Sequence, residues 1–197
     1  MISVADYNFW HGYDRLIKGM KNYYTSGNIT KKVYYHIVGD GPSLHEYIKL
    51  VEKCKLNEYV MFEGKKYGSE LDDIYDKCNL AIDALGRHRS KVYYNSSLKG
   101  KEYGAKGLPI VSGVKTDLDL LKDYKYYFRV PADDSDIIIE DIISFYNEVY
   151  ENSCEEEIIN NIRMYNKNMF DFSNAFKPVL LEISNEQKSY NKIEDKI

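Results

Sequence analysis

Cysteine, proline and long apolar runs are all scarce in this sequence. The three cysteines, Cys54, Cys78 and Cys154, are odd in number and far apart, with no CxxC and no metal-ligand spacing. That excludes a disulfide framework and fits reduced thiols in a cytosol. No Pro/Gly/Ser-rich stretch divides the 197 residues, and no repeat recurs at a solenoid period. At 44% hydrophobic, such a chain builds one sizeable core. It is read as one domain over residues 1–185, followed by a polar tail, 186–197, expected to fray. No segment approaches the roughly 18 apolar residues of a membrane span. The opening MISVADYNFWHG has neither the basic nor the apolar region of a signal peptide. A cytoplasmic protein is expected, with peripheral contact to a membrane surface left open. A net charge of -4 gives no nucleic-acid-sized basic field, so no nucleic-acid partner is expected.

What is present is an alternation of short β-rich runs with amphipathic patterns. ISVAD (2–6) reads as a strand. Tyr13, Leu16, Ile17, Met20 and Tyr24 then fall on one helical stripe. VYYHIV (33–38) is a second strand, closed by Gly39-Asp40-Gly41-Pro42 and followed by Leu44, Tyr47, Ile48 and Val51 at helical spacing, with Pro42 suited to the first turn. Strands at 59–62, 79–85, 108–113 and 126–130 alternate with helices at 70–77 and in the stretch ended by Gly107. Helices at roughly 134–150 and 155–168, and a weaker one around 175–183, complete the chain. This pattern predicts an α/β fold, a Rossmann-like doubly wound parallel sheet with helices on both faces. Ligands bind such sheets at the carboxyl ends of the strands, which selects the loops 7–12, 39–42, 63–69 and 84–97.

The fourth of these loops is chemically odd. From Ala84 to Lys106 it holds Arg87, Arg89, Lys91, Lys99, Lys101 and Lys106 against Glu102 alone, a net charge of +5 in a chain of -4. In SSLKGKEYGAKGLPIV (96–111), Ser96 or Ser97 is a good N-cap, yet the position for a capping-box acid holds Lys99 or Gly100. Lysine in a first turn opposes the helix dipole. Free amides, dipole and basic side chains together make an anion site, and phosphate is the usual anion there. Lys99 and Glu102, three apart, share one helix edge. A ligand with a diphosphate at the helix start and a hydroxylated sugar alongside meets the lysine first and the carboxylate second, which is the shape of a nucleotide-sugar. Gly100 and Gly104 each sacrifice about 1 kcal/mol of helix propensity, as expected where a helix approaches sheet or ligand closely. The plain alternative is a solvated basic helix with an i,i+3 ion pair.

VGDGP, a strand ending in FEG and a helix bearing EYGAKGLPIV, in that order, resemble the C-terminal, donor-binding domain of retaining GT-B glycosyltransferases of family 4. WHGYDRLIKG and SSLKGKEY look closest to bacterial exopolysaccharide members. The resemblance covers residues 2–185. It implies the donor half of an enzyme that transfers a sugar from a nucleotide diphosphate to a glycan or lipid-linked acceptor, inactive without an N-terminal acceptor domain. It also implies that Glu102 holds ribose hydroxyls and that amides of Ser96, Ser97 and Leu98 hold the diphosphate. The family's earlier glutamate, eight positions before Glu102, falls at Tyr94, so the paired-glutamate motif is incomplete. The lysine-glycine that usually follows the first strand appears as His11-Gly12, and an arginine just before it is missing. Arg89 and Lys99 are expected to supply that charge.

Gly39 and Gly41 are counted among the donor-binding residues, although no third glycine follows and Leu44 stands there, which argues against NAD. Glu63–Ser69 either borders the base or is a plain turn. His11 touches phosphate or closes its loop. Arg15, one turn into the first helix, either faces the same cleft or, the default expectation, is solvated, and His88 is a donor contact or a bystander. Asp117-x-Asp119 and Asp134-x-Asp136 have a metal-binding spacing, but the second pair more simply charges a helix N-terminus, and no metal or other cofactor is expected. No serine elbow or HExxH motif is present. Two other classes stay open, a non-catalytic nucleotide-binding module and an interaction domain that uses the basic loop on anionic surfaces.

Overall fold

Alternating β and α segments leave each strand parallel to the last, because every crossover returns the chain to the same edge. The computed structural model describes residues 1–194, with the side chains of Ala175 and of 185–194 outside that description. Strands β1 (Ile2–Asp6), β2 (Tyr35–Asp40), β3 (Val60–Gly64), β4 (Ala81–Ile82), β5 (Ile110–Ser112) and β6 (Tyr127–Arg129) form one parallel sheet in the order β3-β2-β1-β4-β5-β6. The helices are α1 (Tyr13–Thr25), α2 (Leu44–Lys53), α3 (Gly68–Tyr75), α4 (Leu98–Lys106), α5 (Ile139–Tyr150), α6 (Glu155–Phe170) and α7 (Phe172–Glu194). The winding reverses between β1 and β4, so a crevice opens at the carboxyl ends of those two strands.

The period-2 pattern of the strands divides the core. Leu16, Ile17 and Met20 of α1, Tyr47 and Val51 of α2, and Ile139 and Ile142 of α5 bury one face against Ile37, Ile82 and Val111. On the other face Ile74 and Tyr75 of α3 and Tyr103 of α4 meet Ile2, Val38, Ala81 and Ile110. Tyr103 seats α4 over the sheet centre, its hydroxyl accepting from the Val4 amide (3.0 Å) and donating to the Ile82 carbonyl (3.4 Å). Gly107, in the left-handed region at φ 83°, ends α4 as expected.

Two boundaries differ from expectation for tertiary reasons. β4 is shorter than 79–85 because the chain beyond Ile82 turns to the neighbouring loops, with the Leu85 amide donating to the His11 carbonyl and the Gly113 amide to the Ala84 carbonyl. The helix expected from 134 begins at Ile139, because Asp133, Asp134 and Asp136 instead hold Arg15, Arg89 and Asn22. They do not charge the helix N-terminus. α7 runs to Glu194, into the segment expected to fray, and 195–197 lie outside the described residues. Gly104 makes its close approach to another helix rather than to sheet or ligand: a Cβ there would lie 2.5 Å from the Asn166 side chain of α6. No helix among the described residues is long and apolar enough to cross a membrane.

Candidate donor site at the start of α4

The floor of the crevice is built where two loops touch. Gly12, at φ 66°, ends the 3-10 turn Phe9–His11 and starts α1, and a Cβ on it would lie 2.5 Å from the Gly86 backbone nitrogen. His11 closes this loop: its ring Nδ1 accepts from the Asn8 amide (3.0 Å), and its ring stacks on Tyr13 at 5.6 Å. Burial, with Lys99 and Arg87 nearby, pushes the imidazole down to about 3, so it is neutral. An unfolded histidine titrates near 6.5. His11 therefore stabilises the fold fully above about pH 6.5, and that stability drains as the pH falls toward 3, because only the unfolded chain takes the proton. Between pH 6 and 4 the native protein is expected to lose about 2 kcal/mol more than His11→Gln, read from urea unfolding at both pH values. Equal losses would refute a neutral buried His11.

Arg15 corrects the expectation of a solvated side chain. It is fully buried. Its guanidinium donates to the carbonyls of Leu85, Ser135 (2.7 Å) and Pro131 (3.0 Å) and reaches Asp133 at 3.4 Å. Arg89 is equally committed, bidentate to Asp14 (2.7 and 3.1 Å) and bonded to Asp134 (2.7 Å), which also takes His88 Nε2 at 3.2 Å. Arg89 thus ties three loops together and presents little free charge.

Lys99, Lys101 and Lys106 of the basic stretch sit on α4. Ser97 is the N-cap, its hydroxyl accepting from the Gly100 amide at 3.3 Å, while the Leu98 and Lys99 amides find no acceptor among the described residues. Lys99 Nζ stands 4.0 Å from Asp83 Oδ1. Burial lowers the Lys99 ammonium below its ordinary value against the pull of Asp83, and Arg87 adds to the lowering. Open amides, helix dipole and an under-compensated ammonium converge on one spot, which favours an arriving anion.

On the α3 side, Glu102 accepts from the Tyr75 hydroxyl at 2.9 Å through one carboxylate oxygen. Beyond it an open cleft is lined by Val4, Asp6, Gly39, Asp40, Lys66 and Tyr67 at the carboxyl ends of β1 to β3. Gly39 and Gly41 press on the β1 backbone, where Cβ atoms would lie 2.1 Å from the Ala5 carbonyl and 2.2 Å from the Tyr7 nitrogen. Both glycines shape the wall. The structure thus brings His11, Gly12, Lys99 and Ser96–Leu98 to one crevice and sets Glu102, Gly39 and Gly41 along its α3 side. What the sequence did not single out as functional was Asp83, buried at the end of β4 with Oδ1 lacking a hydrogen-bond partner.

The fold has known counterparts. The family model described as glycosyl transferases group 1 matches residues 1–88. HepE from Anabaena, solved in complex with UDP, superposes with a TM-score of 0.66 at 15% identity over 93% of this chain and 48% of its own. The fold is a GT-B half. The GT-B half is shared with the catalytic domain of the Helicobacter pylori cholesterol-alpha-glucosyltransferase (TM-score 0.59, 19% identity, 85% of this chain and 96% of that one). TarM of S. aureus, solved with UDP among its ligands, gives 0.63 at 16% identity over 92% of this chain and 34% of its own. The chain spans about half the length of HepE and a third of TarM. No curated protein matches it by sequence.

Proposed function

We propose that this chain is the donor-binding half of a glycosyltransferase, holding a nucleoside-diphosphate sugar across the start of α4. The observation that carries this reading is the open α4 N-terminus with Lys99 beside it, at the winding reversal of a GT-B half. The diphosphate lies on the Ser96–Leu98 amides and Lys99, and Glu102 takes ribose hydroxyls with its second carboxylate oxygen. His11 and Gly12 shape the floor, and Arg89 holds the loop that frames it. In the transfer step, Lys99 and the amides stabilise charge developing on the leaving diphosphate, preorganised by the fold. No cofactor or metal enters this reading.

The acceptor, a glycan or lipid-linked molecule of a bacterial surface polysaccharide, is held by a second domain. Phe172, Phe176, Val179, Leu180, Leu181 and Ile183 stay exposed along α7, a surface suited to such a domain. Retention at the anomeric centre, residence in the cytoplasm and inactivity of this half alone belong to the same reading. Titration calorimetry with UDP, GDP and ADP tests it. Because UDP occupies HepE and TarM, UDP is expected to bind this chain saturably, with Lys99→Ala and Glu102→Ala each weakening it at least about tenfold, the scale of a hydrogen bond to a charged group. Binding by none of the three, or binding indifferent to both substitutions, defeats the proposal.

A further inference from the structure

The turn after β5 brings a carboxylate to the mouth of this site. Residues 93–95 pair with Lys115 through a parallel bridge, the Asn95 amide donating to the Lys115 carbonyl (2.8 Å) and the Lys115 amide to the Tyr93 carbonyl (3.3 Å). Thr116 then caps the 3-10 turn Asp117–Leu120, its hydroxyl accepting from the Leu118 amide (3.2 Å) while its own amide donates to Asp119 Oδ2 (2.7 Å). This fixes Asp117 beside Ser96. Each oxygen of the Asp117 carboxylate accepts from one hydroxyl, Oδ1 from Tyr94 and Oδ2 from Ser96. Partial burial pulls this carboxyl up, but the two hydroxyls, with Lys101 near, hold it below the usual range, so it is ionised at neutral pH.

A carboxylate whose two partners are both hydroxyls is arranged as it would be to grip a diol. Asp117 shares a cavity of about 20 Å³ with Asp83, Ser97, Gly100 and Lys101. That is room for about one water, so a ligand reaches into it with a single hydroxyl while its ring stays at the mouth. Asp83 accepts from the Ser112 hydroxyl at 3.1 Å through Oδ2, while the buried Oδ1 has no hydrogen bond and only Lys99 Nζ near it, at 4.0 Å. A buried acceptor without a donor is costly, and a ligand hydroxyl removes that cost.

Sheet order supplies the direction. Glu102 and the β3 loop lie to the α3 side of the α4 N-terminus, and the β5 turn lies to the opposite side. A diphosphate at the helix start with its nucleoside toward Glu102 places its remaining end by Asp117. Resting on the donor-site reading, we infer that Asp117 recognises the hydroxyl groups of the transferred sugar, displacing its Tyr94 and Ser96 partners, with Asp83 Oδ1 accepting from a second hydroxyl.

The test compares UDP with UDP-glucose, UDP-galactose and UDP-N-acetylglucosamine on the full chain by calorimetry. At least one sugar nucleotide is expected to bind the native protein ten or more times tighter than UDP. In Asp117→Asn that margin shrinks to within twofold while the Kd for UDP stays within twofold. Tyr94→Phe, which frees one carboxylate oxygen and leaves the Thr116 cap in place, widens the margin. A margin that survives both substitutions unchanged overturns the assignment, as does a native protein that binds UDP and gains from none of the three sugars. In those cases the donor-site reading stands alone. A native protein that binds no UDP removes both.

Discussion

Replacing Arg15 by methionine is expected to destabilise the protein by about 3–5 kcal/mol, because three carbonyls lose hydrogen bonds from a charged donor worth about 1.5–3 kcal/mol each. Methionine restores much of the volume but no donors, so the carbonyls of Leu85, Pro131 and Ser135 lose their partner. A domain of this kind has a total stability of about 5–15 kcal/mol, so the variant is marginal at best. Arg15→Lys fails for a different reason. An ammonium is a point donor, whereas the fork of the guanidinium reaches three carbonyls on two segments at once. Urea unfolding measures both, and a midpoint unchanged from the native protein would show that water replaces the guanidinium. Because Leu85 precedes the basic loop and Pro131 and Ser135 flank Asp133 and Asp134, the loosened variant is also expected to bind UDP more weakly than its folded fraction alone explains.

Gly12→Ala carries the second large effect. A side chain in the left-handed region costs about 1–2 kcal/mol. The new Cβ would also stand 2.5 Å from the Gly86 nitrogen and 2.6 Å from its Cα, backbone atoms that no rotamer change can move. Overpacking of that kind adds about 1–3 kcal/mol, giving about 2–5 kcal/mol together. The shift also strains the 2.7 Å bond from the Leu85 amide to the His11 carbonyl, which joins the β1 and β4 loops. Gly12→Ala is therefore expected to lower the thermal midpoint sharply, and a second substitution at Gly86 cannot rescue it, since the overlap is with backbone. A midpoint within a few degrees of native would mean the two loops separate easily.

Element types were legible because amphipathic periodicity and turn residues are local properties, and so the parallel sheet, a start of α4 at Ser96 or Ser97 and its end at Gly107 could be read from the chain. The basic first turn of α4 was legible for the same reason: Lys99 stands where a capping acid belongs. By itself, then, the sequence determined the fold class and the basic first turn of α4. Which charges remain free was decided only by tertiary structure, because pairing depends on residues far apart in the chain. Arg89 and Arg15 look equally available in the sequence, yet Asp14 and Asp134 neutralise the first and three carbonyls bury the second. Tyr94 interrupts a paired-glutamate pattern, and nothing local says what replaces the missing carboxylate. The fold brings Asp117 to Tyr94 across 23 positions, through a bridge that exists only once β4 and β5 lie side by side.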